Sequence, residues 1–190
     1  MRMAPRPRTG WKPDFLPEDG RDAAALLLLY PKGGEAQVLL TVRTKHLPTH
    51  RGQVSLPGGG VRPGENFIET ALREAREEVG IEPDELEILG ILSSLHIPVS
   101  GFILHPIVAV SAQRPFIRPR AGEVARVLEV PLTVLRDPAR VRVEDWLHDE
   151  QWYRVPYFSV DDSKVWGATA MVLSEFLWVI GVPPSPSPEW

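Results

Sequence analysis

The stretch that decides the fold runs from Gly59 to Ile81 and reads GGVRPGENFIETALREAREEVGI. Its second half predicts an amphipathic helix in which Glu74, Glu77 and Glu78 stand at positions i, i+3 and i+4. Carboxylates at this spacing share one side of a helix, because an α-helix turns about 100° per residue. Three like charges on one patch repel each other unless a cation lies among them. The spacing therefore indicates a bound divalent ion, Mg²⁺ or Mn²⁺, since these hard ions favour carboxylate oxygens.

The limits of this helix are also predicted. Asn66 is a good N-cap residue, and Glu69 three positions later completes a capping box. Gly80 is expected to end the helix, and Pro83 prevents it from resuming. Apolar residues repeat at helical spacing and predict the face that packs against the core: Ile68, Ala71, Leu72, Ala75 and Val79.

A solvated surface is the alternative interpretation of this glutamate-rich helix, because most such patterns bind nothing. The whole stretch favours a metal site, since it resembles the signature of the Nudix hydrolases at all nine specified positions over 23 residues. These positions are Gly59, Glu65, Arg73, Glu74, Ala75, Glu77, Glu78, Gly80 and Ile81. The resemblance implies a diphosphatase, a hydrolase of phosphorus-containing anhydrides, that acts on a nucleoside diphosphate linked to another group.

The same resemblance implies roles for individual residues. Glu74, Glu77 and Glu78 would hold Mg²⁺ or Mn²⁺, and the Gly59 carbonyl would complete the coordination. Arg73 and Glu65 would position this segment, so that Arg73, Glu77 and Glu78 count among the catalytic residues. The general base lies either on the helix or on a distant loop in this family. Our candidate for an outlying ligand or base is Glu123, for which an ordinary surface position is an equal alternative.

The segment before the signature, Leu39 to Gly59, reads LLTVRTKHLPTHRGQVSLPGG. It resembles the additional motif of the coenzyme A diphosphatase branch. Matching residues are Leu39, Leu40, Thr41, Arg43, Gly52, Pro57, Gly58 and Gly59. Thr44 and Leu56 are mild departures, whereas Pro48 replaces an arginine and removes a cation that could contact a phosphate.

Three residues of this segment are our candidates for substrate binding. Arg43 is the first choice for a phosphate contact, although it could equally pair with a structural carboxylate. His50 and Arg51 are the other two, since nearby basic groups compensate for Pro48. Further stretches that resemble the branch extend the similarity from about Leu26 to about Leu177.

The branch resemblance implies cleavage of coenzyme A or its thioesters to adenosine 3′,5′-bisphosphate and 4′-phosphopantetheine or its acyl form. One alternative is another Nudix pyrophosphatase activity, on ADP-ribose, NADH or an oxidised dNTP. A second alternative is a non-catalytic Nudix domain that senses a nucleotide. Such domains usually lose signature glutamates, and this chain retains all of them.

Composition limits the remaining choices. A net charge of −4 provides no long-range attraction to polyanions, so we expect no nucleic-acid partner. The resemblance implies a small-molecule nucleotide as the partner. The absence of cysteine excludes a thiolate metal site and argues against the isopentenyl diphosphate isomerase branch, which uses a catalytic cysteine. Nothing resembles a signal peptide, and the apolar run from Ala24 to Tyr30 is too short to span a membrane. We therefore expect a cytoplasmic enzyme without a membrane partner, and we leave a homodimer open.

The order of predicted elements defines the fold class. We expect one Nudix domain over residues 21–181, after an N-terminal extension of residues 1–20 and before a proline-rich flexible tail of residues 182–190. Strands are predicted at 24–30, 37–44, 86–96, 101–110, 123–130, 141–147 and 151–158, and a final helix at 166–180. Helices interspersed with strands predict an α/β fold, a mixed β-sheet sandwiched between α-helices. The resemblance implies the same α/β/α sandwich.

Overall fold

The computed structural model describes residues 3–6, 16–44, 52–148 and 150–182. The chain forms two compact units, Leu16–Leu132 and Met1–Phe15 with Thr133–Trp190. The signature helix belongs to the first unit. The predicted domain limits, residues 21–181, stay a prediction.

The Leu16–Leu132 unit contains a mixed sheet of eight strands and one long helix that packs against the sheet. Its elements are β1 (Arg21–Lys32), β2 (Glu35–Arg43), β3 (Val54–Ser55), β4 (Gly58–Gly60), α1 (Phe67–Val79), β5 (Glu87–Ile91), β6 (Leu95–Ile97), β7 (Phe102–Val110) and β8 (Val124–Pro131). The main strand order is β3-β2-β1-β7-β5, and β4, β6 and β8 pair with β1, β7 and β2. Only the β1–β7 pairing among these is parallel. The predicted mixed α/β character is therefore confirmed.

Strand β1 lies at the centre of this sheet and packs against α1. Alternate β1 residues, including Leu26 and Leu28, share one buried cluster with the small residues Ala71 and Ala75 of α1. The small side chains let the helix lie close to the strand. Burial of this apolar surface is the main free-energy gain of the unit.

Helix α1 begins and ends as predicted. The Asn66 side chain accepts a hydrogen bond from the Glu69 backbone, and Glu69 accepts one from the Asn66 backbone. Gly80 adopts the left-handed conformation at the C-terminal end, with φ of 70°. The buried face differs from the prediction, because Glu78 is buried whereas Ile68 and Leu72 are only half-buried. Polar partners on the neighbouring backbone and on β2 make the burial of this carboxylate tolerable.

The strands of this unit differ from the prediction at two places. The strand predicted at 86–96 is two strands, β5 and β6, separated by residues 92–94. Strand β3 lies in a part of the chain for which no element was predicted, and β4 lies in the glycine-rich segment, for which we expected a loop. Strand β4 consists of three glycines, a composition that β-strand propensity disfavours.

The second unit contains α2 (Leu132–Arg136, at its boundary), β9 (Val141–His148), β10 (Gln151–Val160), β11 (Ser163–Trp166) and α3 (Gly167–Val179). The strands predicted at 141–147 and 151–158 are confirmed as β9 and β10, which pair antiparallel, and β11 extends the pair to a three-stranded antiparallel sheet. The final helix predicted at 166–180 is confirmed as α3, and Ile180, which follows it, is 40% exposed. The helix buries the continuous run Ala170–Ser174, so its buried surface is not confined to one stripe. Across the described ranges, no helix has the length and apolarity needed to cross a membrane.

Candidate active site

Glu78 is the most buried of the three carboxylates predicted to bind metal, with 4% of its surface exposed. Burial, with a smaller effect from the neighbouring charges of Glu74 and Glu123, raises the pKa of Glu78 to about 8. The Arg43 charge and a backbone hydrogen bond with Gly58 act in the opposite direction. The carboxylate therefore lies where additional positive charge would stabilise its ionised form.

Arg43 ends β2 and faces this carboxylate. Its Nη1 lies 3.9 Å from Glu78 Oε1. The Arg43 Nε is buried and has no hydrogen-bond partner among the described residues. A buried guanidinium donor without an acceptor is uncommon, because leaving it unpaired costs free energy. This donor is therefore the one buried side-chain polar atom beside Glu78 that the described residues leave unpaired.

Arg73 connects the glycine-rich segment to the helix. Its Nε donates to Glu65 Oε1 at 2.6 Å, and its Nη2 donates to Glu65 Oε2 at 3.0 Å and to the Gly60 carbonyl at 3.1 Å. Its Nη1 donates to Glu74 Oε1 at 2.5 Å and lies 3.5 Å from Glu77 Oε2. The Arg73 guanidinium holds the pKa of Glu65 at about 2. The Arg73–Glu65 pair thus fixes the position of the glycine-rich segment relative to α1.

Glu77 is held by an arginine that the sequence analysis did not single out. Arg62 donates from Nη1 and Nη2 to the two Glu77 oxygens, both at 3.0 Å. This hydrogen-bonded pair lowers the pKa of Glu77. Arg62 occupies an unspecified position of the signature, so the family pattern gave no signal for it. Its place in the short loop before α1 was the only available signal.

The glycines before α1 permit close approach of the backbone to the site. A Cβ on Gly59 would lie 2.5 Å from Glu74 Oε1, and a Cβ on Gly58 would lie 2.5 Å from the Ala24 carbonyl oxygen. The absence of a side chain at Gly59 thus leaves space for the Glu74 carboxylate, and its absence at Gly58 leaves space for pairing with β1. The Gly59 carbonyl as a metal ligand stays a prediction.

Glu123 precedes β8 and lies beside the end of β2. Its carbonyl accepts from the Thr44 backbone at 3.0 Å, and Thr44 Oγ1 donates to the Gly122 carbonyl at 3.2 Å. The Glu123 side chain pairs with Arg120 at 3.0 Å and is close enough to Glu78 for its charge to raise the Glu78 pKa. The structure therefore brings this distant residue to the carboxylate cluster.

Arg118 and Arg120 also contact the end of α1. The sequence analysis found no signal for these two residues. Their backbone N–H groups donate to the Val79 and Glu78 carbonyls at 2.7 and 2.8 Å. These bonds satisfy helix-end carbonyls and fix the segment that carries Glu123. The remaining candidates, His50 and Arg51, lie outside the described residues.

The candidate donors, the carboxylates of Glu74, Glu77 and Glu78 and the Gly59 carbonyl, suit a hard divalent ion. The positions of these side chains do not form a closed coordination sphere. Among residues 3–6, 16–44, 52–148 and 150–182, no three His, Asp or Glu side chains lie close enough to hold a metal ion as they stand. Arginines instead neutralise Glu74 and Glu77. All candidate donors are oxygens, and the buried Glu78 has too little positive charge around it.

Comparisons with known proteins define the class. The family model described as the NUDIX domain matches residues 20–154. A protein from Pectobacterium atrosepticum, called "Uncharacterized Nudix hydrolase NudL", is 35% identical over 164 residues, which are 86% of this chain and 85% of that protein.

Solved structures show the same fold. The Nudix hydrolase RenU from M. smegmatis has a TM-score of 0.51 and 27% identity over 58% of this chain and 70% of its own. The Ap4A hydrolase of C. elegans in a binary complex has a TM-score of 0.52 and 23% identity over 60% and 81%, a likeness of fold alone.

The chain therefore belongs to the Nudix hydrolase family. It is a Nudix diphosphatase with the α/β Nudix fold. The predicted enzyme class and the predicted fold class are therefore both confirmed. Members of this family generally use divalent metal ions.

Proposed function

We propose that the chain hydrolyses the diphosphate of coenzyme A or its thioesters, giving adenosine 3′,5′-bisphosphate and 4′-phosphopantetheine or its acyl form. The observation that carries the proposal is the position of the segment that resembles the coenzyme A diphosphatase motif. Arg43, near its start, lies 3.9 Å from Glu78, and Gly59, at its end, adjoins Glu74. The segment therefore adjoins the proposed reaction centre near both ends, through Arg43, which belongs to the branch motif, and through Gly59, which it shares with the Nudix signature.

Glu74, Glu77 and Glu78, with the Gly59 carbonyl, would hold Mg²⁺ or Mn²⁺. When bound, such an ion neutralises diphosphate oxygens and lowers the pKa of a water molecule. For Glu74 and Glu77 this role requires that their oxygens exchange an arginine donor for the ion.

The protein side chains provide orientation, charge and proton transfer. Arg43 is our candidate for the phosphate contact, because a charge-assisted hydrogen bond from a guanidinium to a phosphate oxygen is strong. Glu123 is our candidate for the base that takes the proton of the attacking water, and Glu77 and Glu78 are the candidates on the helix. The oxygen of that water forms the new bond to phosphorus, and the bridging P–O bond breaks towards the other phosphate.

The proposal is tested by incubating the pure protein with Mg²⁺ or Mn²⁺ and a panel of coenzyme A, ADP-ribose, NADH, diadenosine polyphosphates and oxidised dNTPs. We expect the highest kcat/KM for coenzyme A or a thioester, with adenosine 3′,5′-bisphosphate as a product. A higher kcat/KM for ADP-ribose would remove the branch assignment. The Glu78→Gln variant, prepared in the same way, controls for contaminating phosphatases.

Pro48 supports a second candidate, hydrolysis of ADP-ribose, NADH or an oxidised dNTP, because this residue replaces a cation of the coenzyme A motif. The substrate panel separates the two candidates. The composition is consistent with a cytoplasmic location, and the Nudix family supports a small-molecule nucleotide partner. A homodimer stays a prediction, which light scattering of the pure protein tests.

A further inference from the structure

A cleft of about 570 Å³ opens next to the carboxylate cluster. The first residues of β1, Arg21 and Asp22, line it together with Phe102 of β7 and the segment Gly60–Pro63. Two lining residues also belong to the proposed active site. Arg62 binds Glu77, and the Gly60 carbonyl accepts a hydrogen bond from Arg73. The cleft is therefore continuous with the site at which the diphosphate is expected.

One wall of the cleft presents an aromatic ring with a guanidinium stacked over it. Arg21 and Phe102 are paired at the start of the parallel strands β1 and β7. The Arg21 guanidinium carbon lies 4.4 Å from the centre of the Phe102 ring, and its Nη2 donates to the Ser100 carbonyl at 2.8 Å. Aromatic rings and guanidinium groups are the surfaces on which nucleobases stack in proteins.

A polar chain behind the cleft fixes the position of Asp22. His105 Nε2 lies 2.9 Å from Asp22 Oδ1, and Ser94 Oγ lies 2.9 Å from His105 Nδ1. The Phe67 ring stacks on the His105 imidazole with ring centres 3.6 Å apart. The Asp22 side chain is 46% exposed although His105 is buried. A carboxylate held in this way is a preorganised acceptor for an amino group or a hydroxyl of a ligand.

We propose that this cleft binds the adenosine-phosphate half of the substrate. The purine stacks at Phe102 and Arg21, and Asp22 accepts a hydrogen bond from the purine amino group or from a ribose hydroxyl. Arg62 contacts the phosphate nearest to α1, since guanidinium groups bind phosphate through paired N–H donors. When Glu77 exchanges Arg62 for the ion, the charges of Arg21 and Arg62 outweigh the charge of Asp22, which suits an anionic ligand.

This inference rests on the proposed function for the position of the diphosphate. It does not rest on the choice of coenzyme A, because coenzyme A, ADP-ribose and NADH share an adenosine 5′-phosphate half. The two proposals can therefore fail separately.

The direct test is calorimetry with the full-length protein in Mg²⁺, with AMP, adenosine 3′,5′-bisphosphate and 4′-phosphopantetheine as probes. We expect Phe102→Ala to weaken binding of both adenosine probes about tenfold or more and to leave 4′-phosphopantetheine unchanged. Phe116→Ala is the matched control, since Phe116 is 75% exposed and lies outside the cleft lining. Equal adenosine binding by wild type and Phe102→Ala, or no adenosine binding by wild type at millimolar concentration, would overturn the inference.

A kinetic test uses whichever compound of the panel is hydrolysed. We expect Arg21→Gln to raise KM about tenfold with kcat nearly unchanged, because the lost contact lies away from the reacting phosphorus. Arg76→Gln, at an arginine that is 63% exposed on α1, is the matched control and should keep the wild-type KM. An unchanged KM in Arg21→Gln would contradict the proposal.

A purely structural role for Phe102 predicts a different pattern. In that case Phe102→Ala lowers Tm without a change in the Kd of AMP, which would overturn the inference. If Phe102→Ala does not fold, Phe102→Leu retains an apolar side chain without the aromatic face and is expected to weaken the adenosine probes. If no compound of the panel is hydrolysed, the proposed function fails, and calorimetry with AMP still decides the cleft.

Discussion

Arg43 Nη1 lies 3.9 Å from Glu78 Oε1, so the end of strand β2 supplies a cation to the most buried carboxylate of helix α1. The two residues are 35 positions apart in the chain, and the sheet brings them together. Arg43 alone does not balance the burial of Glu78, whose pKa remains raised to about 8. A bound cation would complete the neutralisation, which joins the two residues to the proposed chemistry.

Glu78→Gln should reduce kcat by at least about 100-fold while the fold is retained. The amide keeps the shape of the side chain but loses the charge needed to hold a cation. Steady-state kinetics in Mg²⁺, with circular dichroism as the control for folding, measures this effect. Kinetics close to those of the wild type would refute the proposed metal site.

The same variant should be at least as stable as the wild type in the presence of a chelator. A carboxylate whose folded pKa is raised stabilises the fold below its unfolded pKa, near 4.5, and loses that contribution as pH rises through about 8. The Tm of Glu78→Gln should therefore equal or exceed the wild-type Tm, by a margin that grows from pH 5 to pH 8. A Tm deficit that increases with pH would contradict the assignment of burial as the dominant cause.

Arg43→Gln should lower kcat/KM by about 10- to 100-fold, because it removes the only cation that the structure shows against Glu78 among the described residues. Arg43→Lys retains the charge without the planar fork and should recover part of the loss. The lysine variant therefore separates charge from hydrogen-bond geometry. If both variants retain the wild-type kcat/KM, Arg43 has a structural role only.

Gly58 and Gly59 should respond differently to alanine. The Gly58→Ala methyl group would meet the Ala24 backbone at 2.5 Å, so we expect a loss of about 3 kcal/mol or more in the free energy of unfolding. The Gly59→Ala methyl group would meet the end of the Glu74 side chain, which can move. That variant should fold but lose about 10- to 100-fold in kcat/KM.

Urea unfolding and kinetics measure this contrast. Gly90→Ala is the control, because a Cβ there has no neighbour within 4 Å. Equal losses of stability in the Gly58 and Gly59 variants would contradict the proposed close approach of the backbone to Glu74.

The sequence predicted local features better than long-range ones. The helix limits followed from Asn66, Glu69 and Gly80, whose effects act within one turn of helix. The burial of Glu78 was not predictable in this way, because it depends on Arg43 and on the backbone of Gly58. Arg62 was missed for the same reason, since its partner Glu77 is defined by the fold and not by spacing. Strand β4 was missed because glycine has low strand propensity and pairs here only through the backbone of β1.

Glu129 should contribute stability that acid removes. Arg114, Lys32 and Tyr30 donate hydrogen bonds to Glu129, with the Arg114 bond the largest influence, and hold its pKa at about 2. A lowered pKa stabilises the fold above the unfolded value, near 4.5, and the gain disappears as pH falls towards 2. Glu129→Gln should therefore lose about 1–2 kcal/mol at pH 7, because the partly exposed partners are screened by solvent, and little at pH 2.

Urea unfolding at pH 7 and at pH 2–3 measures this difference. The matched control is Glu87→Gln on the exposed face of β5, which should have little effect at either pH. A deficit of Glu129→Gln that does not decrease in acid would contradict the assigned cause.

The central claim, that the carboxylates of α1 hold a divalent ion, is tested most directly by anomalous scattering from crystals soaked in Mn²⁺. The account predicts a peak within coordination distance of Glu74, Glu77 and Glu78, with Glu77 released from Arg62. A map without a peak at this position, from crystals in which Mn²⁺ binds elsewhere, would contradict it.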